Sequence, residues 1–340
     1  NKAHDHLMDG IKKLAPLLVK AKRDKSAMEM EAISTQMLGI HYKIINVNLR
    51  LADHHLQNYF SSNLIQALRT AGRMLSDASS LLEVLNSQTK DNNESNLYAR
   101  SIVLQYAWLW EYCGHFARSF AADELWRDRG HTSGEDLISL FREVYHSCGN
   151  IIGGPKWKST KSSIVAASHG QVSLNFLSGI VILPTDFEEI TSSVLQKEGA
   201  REAIEACKKI LEQKTQIKRE TALNLVAASV SYGHALDGFV FLDGQVDGEE
   251  KEDDILTSQK RKDSNDGLLM DITIAPLVRQ RLGDACNETG KVLLDESRAV
   301  LSPQFSPPDG IGVSNKNFGL SHVSAIMLAS AQFWFSQGLD

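Results

Sequence analysis

The chain has 340 residues, 42% of them apolar and 23% charged, and a formal net charge of −6. These values describe an ordinary folded protein, long enough for two domains that each bury a core, and they exclude the disordered and membrane classes. The longest apolar runs, such as Ile180 to Leu183, fall far short of the ~20 residues that cross a bilayer, and no signal-peptide pattern opens the sequence.

The opening Asn1, without an initiator methionine, leads to the expectation of sequence upstream, with part of the function outside these residues. From 27 to 86, apolar positions such as Met37, Ile40, Ile44, Val47 and Leu51, then Leu64, Leu68, Leu75 and Leu82, recur at helical spacing. A polar break at Thr89 to Ser95 separates them from a further helical stretch, Leu97 to Phe120. That stretch carries Tyr106, Trp108, Trp110, Tyr112 and Phe116. Large aromatics anchor cores more often than they stack on bases, so core packing is the reading taken.

Ser133-Gly134-Glu135-Asp136 introduces a helix over Leu137 to Cys148, with acidic residues where the helix dipole favours them. Asn150 to Pro155 then breaks helical periodicity, and Lys156, Lys158 and Lys161 cluster around Trp157. A solvated loop anchored by tryptophan and a phosphate-contacting loop fit that pattern equally. Ser162 to Leu183 shows no clean period, while helical signals dominate from Ser192 to Tyr232. On one continuous helix, Lys197, Arg201, Lys208 and Arg219 share a narrow stripe. Glu205 and Glu212 lie near it, so a salt-bridged exposed face is the plainer reading of that stripe.

Asp243 to Gly267 is polar and acidic, with Asp247, Glu249, Glu250, Glu252, Asp253 and Asp254 ahead of Lys260-Arg261-Lys262. Such a composition buries little apolar surface, which predicts a hinge or mobile loop. The expected organisation is an N-terminal lobe over 1–245, an acidic hinge over 246–266 and a C-terminal lobe over 267–340 that is incomplete. The second helical block, Leu268 to Val300, is expected to be interrupted at Pro276 and again around Gly283. A proline-rich turn at Ser302 to Gly310 precedes a last apolar helix.

Local chemistry is sparse. The four cysteines, at 113, 148, 207 and 286, form no CxxC pair, so neither a zinc site nor a disulfide framework is suggested, and a reducing compartment fits. His4-Asp5-His6 and Asp53-His54-His55 invite a metal, but adjacent helical histidines point about 100° apart. Gly153-Gly154-Pro155-Lys156 lacks Walker spacing, and no nucleophile elbow is present, so neither a cofactor nor catalysis is expected.

The stretch Asn317-Phe318-Gly319-Leu320-Ser321-His322-Val323-Ser324-Ala325-Ile326-Met327-Leu328-Ala329-Ser330-Ala331, continuing into Phe333-Trp334-Phe335, resembles a motif of nonsegmented negative-strand RNA virus nucleoproteins. The filovirus, pneumovirus and bornavirus forms look most similar. In that family an aromatic and a small residue open an apolar helix late in the folded core. The resemblance covers about fifteen residues, and the acidic stretch lies upstream of it at about the family's hinge distance.

It implies two all-helical lobes with an RNA-binding cleft between them, packaging single-stranded RNA without sequence preference. It also implies self-assembly into a helical filament or ring and a viral polymerase cofactor as partner. The locations implied are the virion nucleocapsid and the host cytoplasm, or the nucleus. Sequence-blind packaging needs phosphate contacts and tolerance of any base, so no base-reading motif is required. Charge placement, and no residue-by-residue match to the family, nominates Lys156, Lys158, Lys161, Lys197, Arg201, Lys208, Lys214, Lys218 and Arg219, with Lys260, Arg261 and Lys262 in the hinge. The competing expectations are a helical scaffold or capsid protein without specific RNA binding, and an all-helical enzyme with a nonlocal site.

Overall fold

The computed structural model describes residues 2–58, 61–88, 93–122, parts of 139–147 and of 206–210, 216–249, 274–306 and 320–338. These are almost wholly helical, with no strand among the described residues, as an all-α fold requires. The long helices are α1 (Lys2–Asp24), α2 (Ala27–Gln57), α3 (Ser61–Gln88), α4 (Asn93–Ala122), α5 (Gln216–Glu249), α6 (Ala275–Val300) and α7 (Leu320–Gln337). No helix among the described residues is long and apolar enough to cross a membrane.

Helices α1 to α4 pack each on the next, and α4 also returns to α2. The α1–α2 turn is closed by Lys25 at φ 52°, where the Ser26 amide donates to the Ala21 carbonyl at 3.1 Å. Of the periodic residues of α2 and α3, Met37, Ile44, Leu64, Leu68, Leu75 and Leu82 are buried, whereas Ile40, Val47 and Leu51 are half-buried and Ile45 and Leu49 take the core positions beside them. Between α2 and α4, Gln105 donates from Nε2 to Asn46 Oδ1 at 3.1 Å, which satisfies a polar group inside the contact.

The aromatic run on α4 is core. Tyr106, Trp110, Tyr112 and Phe116 are buried, and the partly buried Trp108 packs against the same cluster. Helix α5 runs antiparallel along α4, with contacts passing from Gly114–Tyr232 to Ala107–Gly238. At both ends a glycine is what allows the approach: a Cβ on Gly238 would lie 2.7 Å from that of Ala107, and one on Gly114 would lie 2.7 Å from the Tyr232 ring. Trp108 meets Phe239 edge to face at 5.5 Å, and Trp110 stacks on His234 at 4.5 Å.

Helix α6 packs on α5, and α7 folds back along α6. Pro276 does not interrupt α6 but starts it, at a position where its missing N–H costs nothing. The expected break at Gly283 is also absent, because Gly283 is a packing position: the Gly338 carbonyl would lie 3.1 Å from a Cβ there. Gly290 plays the same part for the Phe335 ring. The motif helix α7 buries Val323, Ile326, Met327 and Phe333, as its apolar face predicts.

One hydrophobic cluster runs from Leu18 on α1 to Trp334 on α7, with α5 and α6 in direct contact. The acidic stretch begins inside a helix, since α5 continues to Glu249. The rest of the expected hinge, 250–266, lies outside the described residues.

Candidate functional site

The side chains of the nominated basic residues fall outside the described part of the structure. Lys156, Lys158, Lys161, Lys197, Arg201, Lys208, Lys214, Lys260, Arg261 and Lys262 lie outside the described residues, and Lys218 and Arg219 are placed only as backbone in the first turn of α5. Among the described residues no group of three His, Cys, Asp or Glu converges as metal ligands would. His54 and His55 sit edge to face with ring centroids 5.6 Å apart.

Among the described residues, a dense polar constellation is one that local reading does not find. It lies where α4, α5 and α6 meet, with Tyr232 at its centre. Glu111, one turn from Trp108 and next to Trp110, is forced into the core by its aromatic neighbours and has only 2% of its side chain exposed. A carboxylate so buried needs a partner. It has two: Arg281 reaches it from α6, and His115 Nε2, on its own helix, lies 3.0 Å from the same oxygen.

The other side of the imidazole faces α5, where the Tyr232 hydroxyl is 3.3 Å from His115 Nδ1. That arrangement selects the tautomer in which Nε2–H donates to Glu111 and Nδ1 accepts from the phenol. One turn further along α4, Arg118 makes a forked pair with Glu288 of α6, through Nη2 to Oε1 at 2.7 Å and Nε to Oε2 at 3.2 Å. Its Nη2 also lies 3.5 Å from Asp284. Asp53 of α2 adds its charge from a third direction.

The electrostatics follow from burial. His115 is held below its ordinary value by burial and by the Arg118 charge, against a smaller opposing pull from Asp53. Burial pushes the Tyr232 phenol up, and it pushes Tyr112 up to about 12. Arg118 is raised by its hydrogen bond to Glu288, whereas burial lowers Arg281.

Glu111, His115 and Tyr232 thus line up as carboxylate, imidazole and hydroxyl, the order of a nucleophile-activating relay. Two observations distinguish the line-up from an open active site. Tyr232 is fully buried, so no substrate reaches its oxygen, and the carboxylate that would orient the imidazole is already engaged by Arg281. Its side chains join α4 to α5 and to α6.

A more deeply buried histidine lies between α4 and α5. The Tyr106 hydroxyl is 2.9 Å from His234 Nδ1, and His234 stacks on Trp110. Burial lowers His234 to about 3, so it is neutral across the physiological range. Cys113, Cys207 and Cys286 are buried free thiols, and burial pushes Cys207 and Cys286 up to about 12, which makes them inert. No known protein family, curated protein or solved structure matches the chain.

Proposed function

We propose that the chain is a nucleoprotein of a nonsegmented negative-strand RNA virus that packages single-stranded RNA without sequence preference and assembles with copies of itself. The reading is carried by the stretch at 317–335. Its residues resemble the family's motif, and its apolar positions from Leu320 onward lie on one helix, α7, which packs against α6 and buries Val323, Ile326, Met327 and Phe333. In this reading the motif helix is structural, and RNA is gripped by lysines and arginines of the stretches around 156–161, 197–219 and 260–262. Binding of that kind is a sum of phosphate contacts, so affinity falls steeply with salt and is indifferent to base sequence.

Titrating a fluorescent RNA oligomer at several salt concentrations tests this. Each phosphate contact contributes about −0.7 to the slope of log affinity against log salt on single strands. Changing Lys156, Lys158 and Lys161 together to Glu is expected to weaken binding equally for every RNA sequence and to flatten that slope. No binding at low salt by the unaltered chain overturns the proposal and leaves the helical scaffold.

An enzyme is the reading that the Glu111–His115–Tyr232 line-up would favour, and the sealed phenol argues against it.

A further inference from the structure

We infer that Glu111 is the fixed half of an exchangeable ion pair, and that the α4–α6 seam is a salt- and acid-sensitive latch from which the α6–α7 pair swings while still seated on α5. The inference stands whether or not the chain binds RNA.

Three features of the geometry carry it. First, α6 and α7 move as one body. A Cβ on Gly290 would lie 2.9 Å from the Phe335 ring, and Ser324 Oγ donates to the Ser297 carbonyl at 2.8 Å, so sliding between these two helices is blocked.

Second, the pair meets α5 and α4 by two different kinds of contact, besides the Cys207 Sγ that donates to the Val323 carbonyl of α7 at 3.4 Å. On α5 it rests through closely packed small residues, among them Ser229 against Cys286. On α4 it is held by long charged side chains, Arg118 to Glu288 and Asp284, and Arg281 to Glu111. Interface ion pairs can be repacked between two discrete arrangements, whereas interlocked apolar faces resist sliding.

Third, Glu111 has a substitute cation in place. Releasing Arg281 would strand a buried carboxylate, which is the usual reason such pairs do not open. Here His115 already contacts the same oxygen, one turn along the same helix. When Arg281 leaves, His115 can take a proton and replace it.

The direction of the acid response follows from the charges that face the imidazole among the described residues. On α4 these are Glu111 and Arg118, and on α2 it is Asp53. From α5 comes the neutral Tyr232, and α6 supplies Arg281, with Asp284 and Glu288 engaged by Arg118. With the latch closed, burial and Arg118 hold His115 below its ordinary value, and Arg281 occupies the Glu111 oxygen that a charged imidazole would pair with. Opening removes Arg281 and admits water, so the open form binds a proton that the closed form does not. Acid therefore favours opening, by at most tenfold in the open fraction per pH unit for one proton. Salt acts on the outer pair, where Arg118, Asp284 and Glu288 are 28%, 46% and 42% exposed.

The test is a distance measured between spin labels on Gln66→Cys of α3 and Gln332→Cys of α7, both exposed positions, in a Cys148→Ser background. At pH ~7.5 and ~0.05 M salt one narrow distance is expected, and raising salt to ~0.5 M should bring in a second population. Lowering the pH to ~5.5, above the range where carboxylates titrate, should enlarge that population several-fold. His115→Gln keeps a hydrogen-bond donor for Glu111 but cannot be charged, so it should retain the salt response and lose the acid response. A single unchanged distance under all conditions, or an acid response intact in His115→Gln, overturns the inference. Should the variant not fold, the salt and acid titrations of the labelled parent decide alone: both must populate the second distance.

Discussion

Of its neighbours, helix α4 meets α5 and α6 by opposite means. Against α5 it presents glycines and aromatic rings, with Gly238 on Ala107 and Trp110 on His234. Against α6 it presents charges, Glu111 and Arg118. The first contact is close-packed, and its strength comes from apolar area and shape. The second comes from pairs whose net worth is small once desolvation is subtracted, although removing one partner is costly. A single helix thus carries a permanent joint on one side and an exchangeable one on the other.

The largest effect is expected at the permanent joint. Trp110→Ala should destabilise the protein by roughly 3–5 kcal/mol in chemical denaturation, the usual cost of deleting a buried aromatic. A much smaller loss would mean that α5 does not rest on this ring.

At the seam, Arg281→Met should cost about 3 kcal/mol near pH 7.5, the lower end for breaking a buried pair. The cost should shrink toward pH 5.5 as His115 charges to take the place of Arg281, so a pH-independent loss would deny the substitution.

The joint with α5 has a pH signature of its own. His234 is lowered from 6.5 to about 3, so the unfolded chain takes its proton first. Its contribution is whole above pH ~6.5 and declines by up to roughly 1.4 kcal/mol per unit as pH falls toward about 3. His234→Phe should flatten that decline in acid-unfolding curves.

The smallest effect belongs to the outer pair. Arg118→Gln should cost about 1 kcal/mol or less at low salt and nothing measurable at high salt, as partly exposed pairs do.

Which of these contacts the sequence discloses depends on how local they are. Helical spacing in 27–86 marks the residues that α2 and α3 bury, because periodicity is a property of neighbours along the chain. The same holds for the aromatic face of α4 and for Val323, Ile326 and Met327 on α7. Gly283 and Pro276 were expected to be breaks, since their propensities oppose a helix interior. Tertiary contact with Gly338 explains the first and a helix start explains the second. The acidic run after Asp243 reads as a linker by composition, yet α5 carries on through Glu249.

The charged seam is unreadable for a different reason: Glu111 and Arg281 are 170 residues apart. One local signal does exist. Glu111 sits within Trp108-Leu109-Trp110-Glu111-Tyr112-Cys113, and a carboxylate amid core aromatics has to find a cation somewhere. That argument says a partner exists without saying which. The nominated RNA-binding lysines come from charge placement alone, and none of their side chains falls within the described residues.

The contrast between the two joints is tested most directly by amide hydrogen exchange followed at once on α5, over 226–239, and on α6, over 281–288. Raising salt from ~0.05 to ~0.5 M, or lowering pH from ~7.5 to ~5.5 with the intrinsic rate change removed, should speed exchange on α6 while α5 stays protected. Equal acceleration of both helices, or of neither, would contradict the account, because the two contacts would then be one cooperative core.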